Sequence, residues 1–565
     1  MAACVNTLID CLIGAAALWL LWFRIIPRVE LSLAKHRSLA GHSRWSRRLA
    51  RILPAYEYDA QRFFDADGAP AEIAARRQAA FAQLADLYRR RFARSAALTD
   101  AAMPYLSDLQ FTARYRVPFQ FSRHVREHLK GGSFVTRTHG NRIIDADGNE
   151  LFDLTGSYGV NVLGHDFYKE CMLRATEDGS AVGPLLGSYL PPTIENARRL
   201  CAISGLDQVS FHMSGTEAVM QAVRLARYHN RRRYLVRFCG AYHGWWGDVQ
   251  PGVGNPVPAP DTLTLEDMSA ASLRVLRRRR DISCVLVNPV QSMHPNRAAP
   301  GDSALLDGAR RAGVDREAYG AWLKQLRAVC SERGIALIFD EVFTGFRLAP
   351  GGAQEYFGVR ADLVTYGKTV AGGLPIGVLC GRAALMARFR ADHPADVCFA
   401  RGTFNAHPYV MAAMDAFLTR FAGEPVRALY RDLDATWNRR VAALNARLQS
   451  QGLPLRVSNL STIWSIDYLV PSRYNWMLQY YLRAHGLALS WVGTGRLIFN
   501  LAYTTDDYEA VVERLQAAAT EMQRDGWWWV APGQSNRSVR KAITAELFQA
   551  WCSGLIGSIS SPRNR

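Results

Sequence analysis

From Val209 onward, short apolar runs alternate with longer amphipathic ones, and this alternation constrains the fold more than any other feature. Tyr234–Phe238, Cys284–Val287 and Ala336–Phe339 read as strands, whereas Ala218–His229, Ala270–Arg280 and Ala318–Arg333 read as helices. Strands separated by helices predict an α/β layer built on a largely parallel sheet. A strand-turn-strand at Phe134–Asp153 precedes it, turning at Asp145-Ala-Asp-Gly148. After about Pro425 helical and strand patterns mix again, which predicts a smaller α+β domain. The basic run Arg277–Arg280 suits a helix C-terminus, where the dipole favours cations.

At 565 residues the chain is too long for one core, so several domains are expected. The divisions read as 1–28, an apolar helix; 29–130, a helical extension; 131–424, a large domain whose first part contributes to the small one; 425–525, the small domain; and 526–565, a tail. Within the extension, the arginines of Ala71–Arg94 are expected on a solvated helix face, and the aromatic-rich stretch Leu109–Phe121 is expected to dock on the body. The tail carries Trp527-Trp528-Trp529 and an apolar helix at Ala542–Ile556. Packing on the body and contact with a membrane both suit it.

Near the N-terminus, Cys11–Phe23 is uninterruptedly apolar, bounded by Asp10 and Arg24. That run alone is too short for a hydrocarbon core of about 30 Å. The window Leu8–Ile26 reaches about 19 residues if Arg24 snorkels and Trp19 and Trp22 sit at the interface. Arg24, Arg28, Lys35, Arg37, Arg44, Arg47, Arg48 and Arg51 follow, so the positive-inside rule places the catalytic body in the cytoplasm, anchored to the membrane by this helix. A buried or oligomer-forming helix is the competing reading. No Lys or Arg precedes Arg24, which argues against a secretory signal. Ten scattered cysteines without paired spacing read as reduced thiols, not as disulfides or a zinc site. A net charge of +18 suits an anionic membrane or an acidic partner. With no zinc-finger spacing and no aromatic-basic RNA motif, nucleic acid is not an expected partner.

The chemistry concentrates at strand ends. Lys368 sits in Tyr366-Gly-Lys-Thr-Val-Ala-Gly-Gly-Leu-Pro375, 28 residues after Asp340, which ends an apolar strand. A lysine on a glycine-flanked turn downstream of such an acid is what pyridoxal 5'-phosphate (PLP) requires. The amine forms a Schiff base with the cofactor aldehyde, and the acid pairs with the pyridinium nitrogen. A metal site at Asp340-Glu341 is disfavoured because no histidine lies at suitable spacing, and no metal is expected. Ser214-Gly215-Thr216-Glu217-Ala218 opens a helix after the strand Val209–His212, an arrangement that binds anions or simply caps the helix. Tyr242-His243-Gly244 follows another strand, where an aromatic can stack on a flat ring or merely pack.

Taken in order, Ser214–Ala218, Tyr242–Gly244, Asp340–Phe346, Gly367-Lys368 and Arg401-Gly-Thr-Phe404 resemble a class III PLP-dependent aminotransferase of fold type I over about residues 130–520. Within that family the chain resembles the glutamate-1-semialdehyde aminomutases and the aminotransferases of acyl-carrier assembly lines. The resemblance implies a cofactor site of Ser214, Gly215, Thr216, Tyr242, His243, Asp340, Val342, Lys368 and Thr403. Gly215 and Thr216 would hold the phosphate, Tyr242 and Val342 the two ring faces, and Asp340 the pyridine nitrogen. Thr403 would reach the neighbouring subunit's phosphate, which implies a homodimer with shared active sites. Asn288-Pro289 departs from the usual Glu-Pro and puts contacts around the site in doubt, while Gln291–Pro295 is closer to the carrier-associated group. Residues 1 to about 130 and the last forty have no counterpart in the family core.

The expected catalytic pair is Lys368 and Asp340, with Lys368 as general base and acid for a proton shift. Arg496 and Tyr158 are candidate substrate contacts, although a structural salt bridge would equally explain Arg496. The favoured activity is transfer from an amino-acid donor to an aldehyde or oxo group on an acyl-chain, lipid-like or carrier-tethered substrate. The alternatives are an intramolecular 2,1-aminomutase and a membrane-tethered scaffold without turnover.

Overall fold

The computed structural model describes residues 13, 15–16, 19, 22, 25–132, 134–293, 308, 312–490 and 496–560. At its centre is a seven-stranded sheet: β1 Gln208–His212, β2 Tyr234–Phe238, β3 Thr262–Leu265, β4 Ile282–Val287, β5 Ala336–Asp340, β6 Leu363–Gly367 and β7 Gly377–Gly381. The spatial order is β1-β7-β6-β5-β4-β2-β3. β7 runs antiparallel to both its neighbours, and the remaining pairings are parallel. Every residue of β4, β5, β6 and β7 is buried. This explains their continuous apolar character, because helices cover both faces of the sheet.

Helix Gly215–Asn230 buries Ala218, Val219, Ala222, Val223, Leu225 and Ala226, and Arg316–Arg333 buries Tyr319, Trp322, Leu323, Leu326 and Val329. Both begin earlier than their apolar periodicity, at N-caps whose side chains accept a backbone amide: Ser214 from Glu217 and Asp315 from Ala318. β7 is a strand the expectations lack. A five-residue run bounded by glycines carries little pattern, yet Gly377 is needed there because a Cβ would lie 1.9 Å from the Ser214 carbonyl oxygen.

A second sheet holds Val135–His139, Arg142–Asp145 and Glu150–Asp153 in antiparallel order, extended by Leu487–Ala488 parallel to the last. The N-terminal hairpin thus joins the C-terminal part of the chain. There, Leu455–Leu460, Ile463–Tyr468 and Arg496–Ile498 form an antiparallel sheet between helices Leu433–Ser450 and Thr505–Arg524.

The extension folds as Ala71–Arg91, Ala93–Ala102, Ser107–Tyr115 and Phe119–His128. Its docking is divided: Phe121 is fully buried against Tyr474 and Trp476, whereas Phe111 and Tyr115 remain exposed. The expectation of solvated arginines on Ala71–Arg94 needs correction at Arg77. This guanidinium is wholly buried, pairs with Asp67 at 2.7 Å, donates to the Phe64 and Gly526 carbonyls and lies over Tyr474. A buried charge needs such a partner. The tail packs on the body, with Trp527 donating to the Tyr481 hydroxyl at 2.8 Å and Trp528 to Asn475 at 3.1 Å. Most of the window Leu8–Ile26 lies outside the described residues, among which no helix is long and apolar enough to cross a membrane.

Candidate active site

The C-terminal ends of β2, β4 and β5, the turn after β6 and the first turn of helix Gly215–Asn230 converge on a cavity of about 850 Å³. Ser214, Gly215, Thr216, Tyr242, His243, Asp340, Val342, Lys368, Tyr158 and Arg496 all line it. Thr403 does not; it lies exposed in a turn at 403–406. Lys368, after β6, and Tyr158, in the turn Gly156–Gly159 that follows the second sheet's strand Glu150–Asp153, meet here although 210 positions apart.

Asp340 is buried at the end of β5. Its Oδ2 accepts from His243 Nδ1 at 2.8 Å, and its Oδ1 accepts from the Val342 amide at 3.2 Å and the Thr365 hydroxyl at 3.3 Å. Burial holds the His243 imidazole below its usual pKa against the opposing pull of Asp340. A carboxylate only accepts, so the neutral ring must carry its proton on Nδ1. His243 thereby fixes the orientation of the acid.

Lys368 begins the turn after β6 at φ 53°, in the left-handed region that a β-carbon disfavours. Its Nζ donates to the Tyr158 carbonyl and lies 5.0 Å from the Phe343 ring centroid. Burial lowers its pKa to about 8, with Asp340 opposing and Arg347 and Arg496 reinforcing the shift. Tyr158 thus reaches the site through its backbone, itself at φ 56°. Gly159 is required beside it, since a Cβ would come 2.4 Å from the Phe343 ring.

Ser214 serves as the helix cap, its hydroxyl accepting from Glu217 N at 3.3 Å while Glu217 reaches back to the Met213 amide at 2.9 Å. Gly215 and Thr216 begin the helix on the cavity wall. A Cβ at Gly215 would lie 2.7 Å from Val342, and one at Gly244 would lie 2.3 Å from the Thr216 hydroxyl. These absent side chains keep the cradle open. A helix start for a phosphate, a buried acid for a ring nitrogen, an aromatic at the rim and a lysine of lowered pKa together fit PLP. Tyr242 is the rim aromatic, 64% exposed and free to cover a ring.

Arg496 also faces the cavity. Among the described residues no carboxylate pairs with it, its Nε has no hydrogen-bond partner, and burial lowers its pKa. A salt bridge is therefore not what holds it there. The doubt raised by Asn288 resolves chemically: its amide donates to the Tyr242 carbonyl at 2.9 Å, which a glutamate could not do. Sequence reasoning missed Thr365 and Phe343, and Thr369, whose hydroxyl shares a 2.5 Å hydrogen bond with Tyr168 beside the lysine turn. Only their positions next to Asp340 and Lys368 in sequence hinted at them.

Comparison with known proteins agrees with this geometry. The chain matches the family described as aminotransferase class-III over residues 124–249 and 311–519. It is 36% identical over 309 residues to a glutamate-1-semialdehyde 2,1-aminomutase of Alkaliphilus oremlandii, covering 52% of this chain and 67% of that protein. It is 32% identical over 373 residues to the enzyme of that name from Desulfotalea psychrophila, covering 62% and 80%. Among solved structures, a transaminase with PLP bound superposes with a TM-score of 0.62 at 25% identity, over 77% of this chain and 99% of that one. A glutamate-1-semialdehyde aminomutase from Pseudomonas aeruginosa shares the fold, with a TM-score of 0.62 at 20% identity over 79% and 99%. The chain belongs to the class III aminotransferases, PLP-dependent transaminases of fold type I.

Proposed function

We propose that this transaminase moves an amino group from an amino-acid donor to the aldehyde or oxo group of an acyl-chain or carrier-tethered substrate. The observation that supports this is one cavity combining apolar walls with an unpaired guanidinium. Arg496 takes the carboxylate of the donor, and Val160, Val290, Leu374 and Ile376 leave apolar room for a chain.

When bound, PLP supplies an electrophilic aldehyde carbon and a ring that withdraws electrons from the amine it captures. Gly215 and Thr216 would hold its phosphate, Tyr242 and Val342 would cover its faces, and Asp340, oriented by His243, would face its ring nitrogen. Lys368, with a pKa of about 8, offers a substantial neutral fraction at physiological pH. Its Nζ would serve as the nucleophile toward the cofactor and as the base and acid that accepts and returns a proton at this site. In a homodimer, the exposed Thr403 of one subunit would reach the phosphate held by the other. The apolar segment within residues 8–26 anchors this assembly to the membrane, with the catalytic body in the cytoplasm.

A second reading has specific support, because the curated relatives described above are named glutamate-1-semialdehyde 2,1-aminomutase. That reaction is intramolecular and needs no donor. Absorbance of the purified holoenzyme with a panel of amino acids separates the readings. Conversion of the cofactor's visible band to its aminated form by an amino acid alone is expected. Response only to a semialdehyde substrate would instead assign the aminomutase. No band even after adding PLP would leave an inactive scaffold.

A further inference from the structure

Outside the catalytic cavity lies a groove of about 410 Å³ lined by Arg44, Arg47, Arg48, Arg51, Pro256 and Pro258. The four arginines come from one helix, Ser43–Ile52, and converge on the proline-rich loop that leads into β3. Like charges at such close quarters repel and disfavour folding unless an anion joins them. Among the described residues none of the four has a carboxylate partner, and Arg47 Nε is buried without a hydrogen bond. Between Ile25 and Leu53 the only acid is Glu30, which Arg278 already neutralises at 2.6 Å.

The same segment also exposes large apolar side chains. Trp45 is 63% exposed, Ile52 61%, Leu33 64% and Val29 51%, with Leu39 and Leu53 also exposed. Arg48 lies over the Trp45 ring. The helix is held to the body from its other side, where Ser46 is buried. Aromatic and aliphatic side chains interleaved with unpaired arginines are what an interfacial helix presents to anionic lipid: apolar groups enter the acyl boundary while guanidinium groups meet phosphate. An acidic protein would satisfy the arginines but would leave this apolar set without an apolar counterpart.

We infer that the face carrying helix Ser43–Ile52 is a docking surface for an anionic phospholipid bilayer, with the arginine groove binding lipid phosphate groups. This contact is separate from the amino-transfer chemistry and from the apolar segment that precedes it, so its test needs no turnover.

The test uses the full-length holoenzyme and sedimentation with vesicles of phosphatidylcholine alone or mixed with phosphatidylglycerol. The expected result is a preference for the mixed vesicles that weakens with salt. Converting Arg44, Arg47, Arg48 and Arg51 together to glutamine should lower partition onto mixed vesicles by about 100-fold or more, with the cofactor absorbance band reporting an intact fold. A control changes Arg89, Arg90, Arg123 and Arg524 to glutamine, side chains at least 66% exposed elsewhere, and should retain the preference. Equal binding to both vesicles, or equal loss in both variants, would overturn the proposal. A groove variant that binds lipid normally but changes oligomeric mass would assign the face to a second copy. One that binds lipid normally but loses turnover only with a carrier-tethered substrate would assign it to an acidic protein.

Discussion

Around the cavity, two half-buried cations lack carboxylate partners among the described residues, whereas buried cations that anchor the N-terminal extension and tail are matched. Lys368 meets the Tyr158 carbonyl and the Phe343 ring, and neither it nor Arg496 pairs with an acid among the described residues. Arg77 meets Asp67 at 2.7 Å, and Arg473 meets Glu546 at 2.8 Å, where Tyr56 and Tyr58 also donate to the carboxylate. Both kinds of site bear the desolvation cost of a charge. In the extension the compensation comes from within the chain, so the pair acts as a fastener. In the cavity it is withheld, and a ligand is left to supply it.

The most severe way to break this comparison is Lys368→Ala. Turnover should fall by more than about 1,000-fold while the melting temperature holds, and a stable, active variant would remove the lysine from the mechanism. Arg77→Ala should do the opposite. It strands Asp67 in the core, so denaturant unfolding should show a loss of about 3–5 kcal/mol, with activity per folded molecule unchanged. Arg496→Gln should raise the KM for the donor by roughly 30-fold or more and leave the half-reaction rate at saturation nearly intact. If kcat alone drops, Arg496 orients the cofactor and not the donor.

The smallest effect is a pH dependence. The folded pKa of Lys368 is depressed below the usual lysine value, to about 8. The neutral amine therefore grows tenfold per unit as pH rises toward 8 and saturates above it. Stopped-flow capture of PLP by the apoenzyme should follow that curve, and a midpoint near 10 would place the lysine in water. Because the unfolded chain binds that proton more readily between about 8 and 10.5, apoenzyme stability should also rise with pH across this window.

The candidate site was the more legible region because many of its residues sit at the ends of strands whose apolar runs show directly in the sequence. Asp340 and Lys368 are spaced by one helix and one strand, so topology alone brings them together. The contacts supporting them were not legible. Thr365 and Asn288 look like ordinary strand-end polar residues until the fold sets one against Asp340 and the other against the Tyr242 carbonyl. Arg77 was misread for a related reason: one of its acceptors, the Gly526 carbonyl, lies 449 positions away, so a buried cation looked like one more arginine on a solvated helix. β7 escaped notice because its glycines answer to a close approach of Ser214 and not to strand propensity.

The left-handed backbone at Lys368 sets stability and chemistry at odds. Glycine would occupy that φ without steric strain, so exchanging the lysine for glycine would relieve the backbone while removing the amine that the proposed mechanism needs. A lysine at a backbone position better suited to glycine thus marks a place where the proposed chemistry is held at a cost in stability.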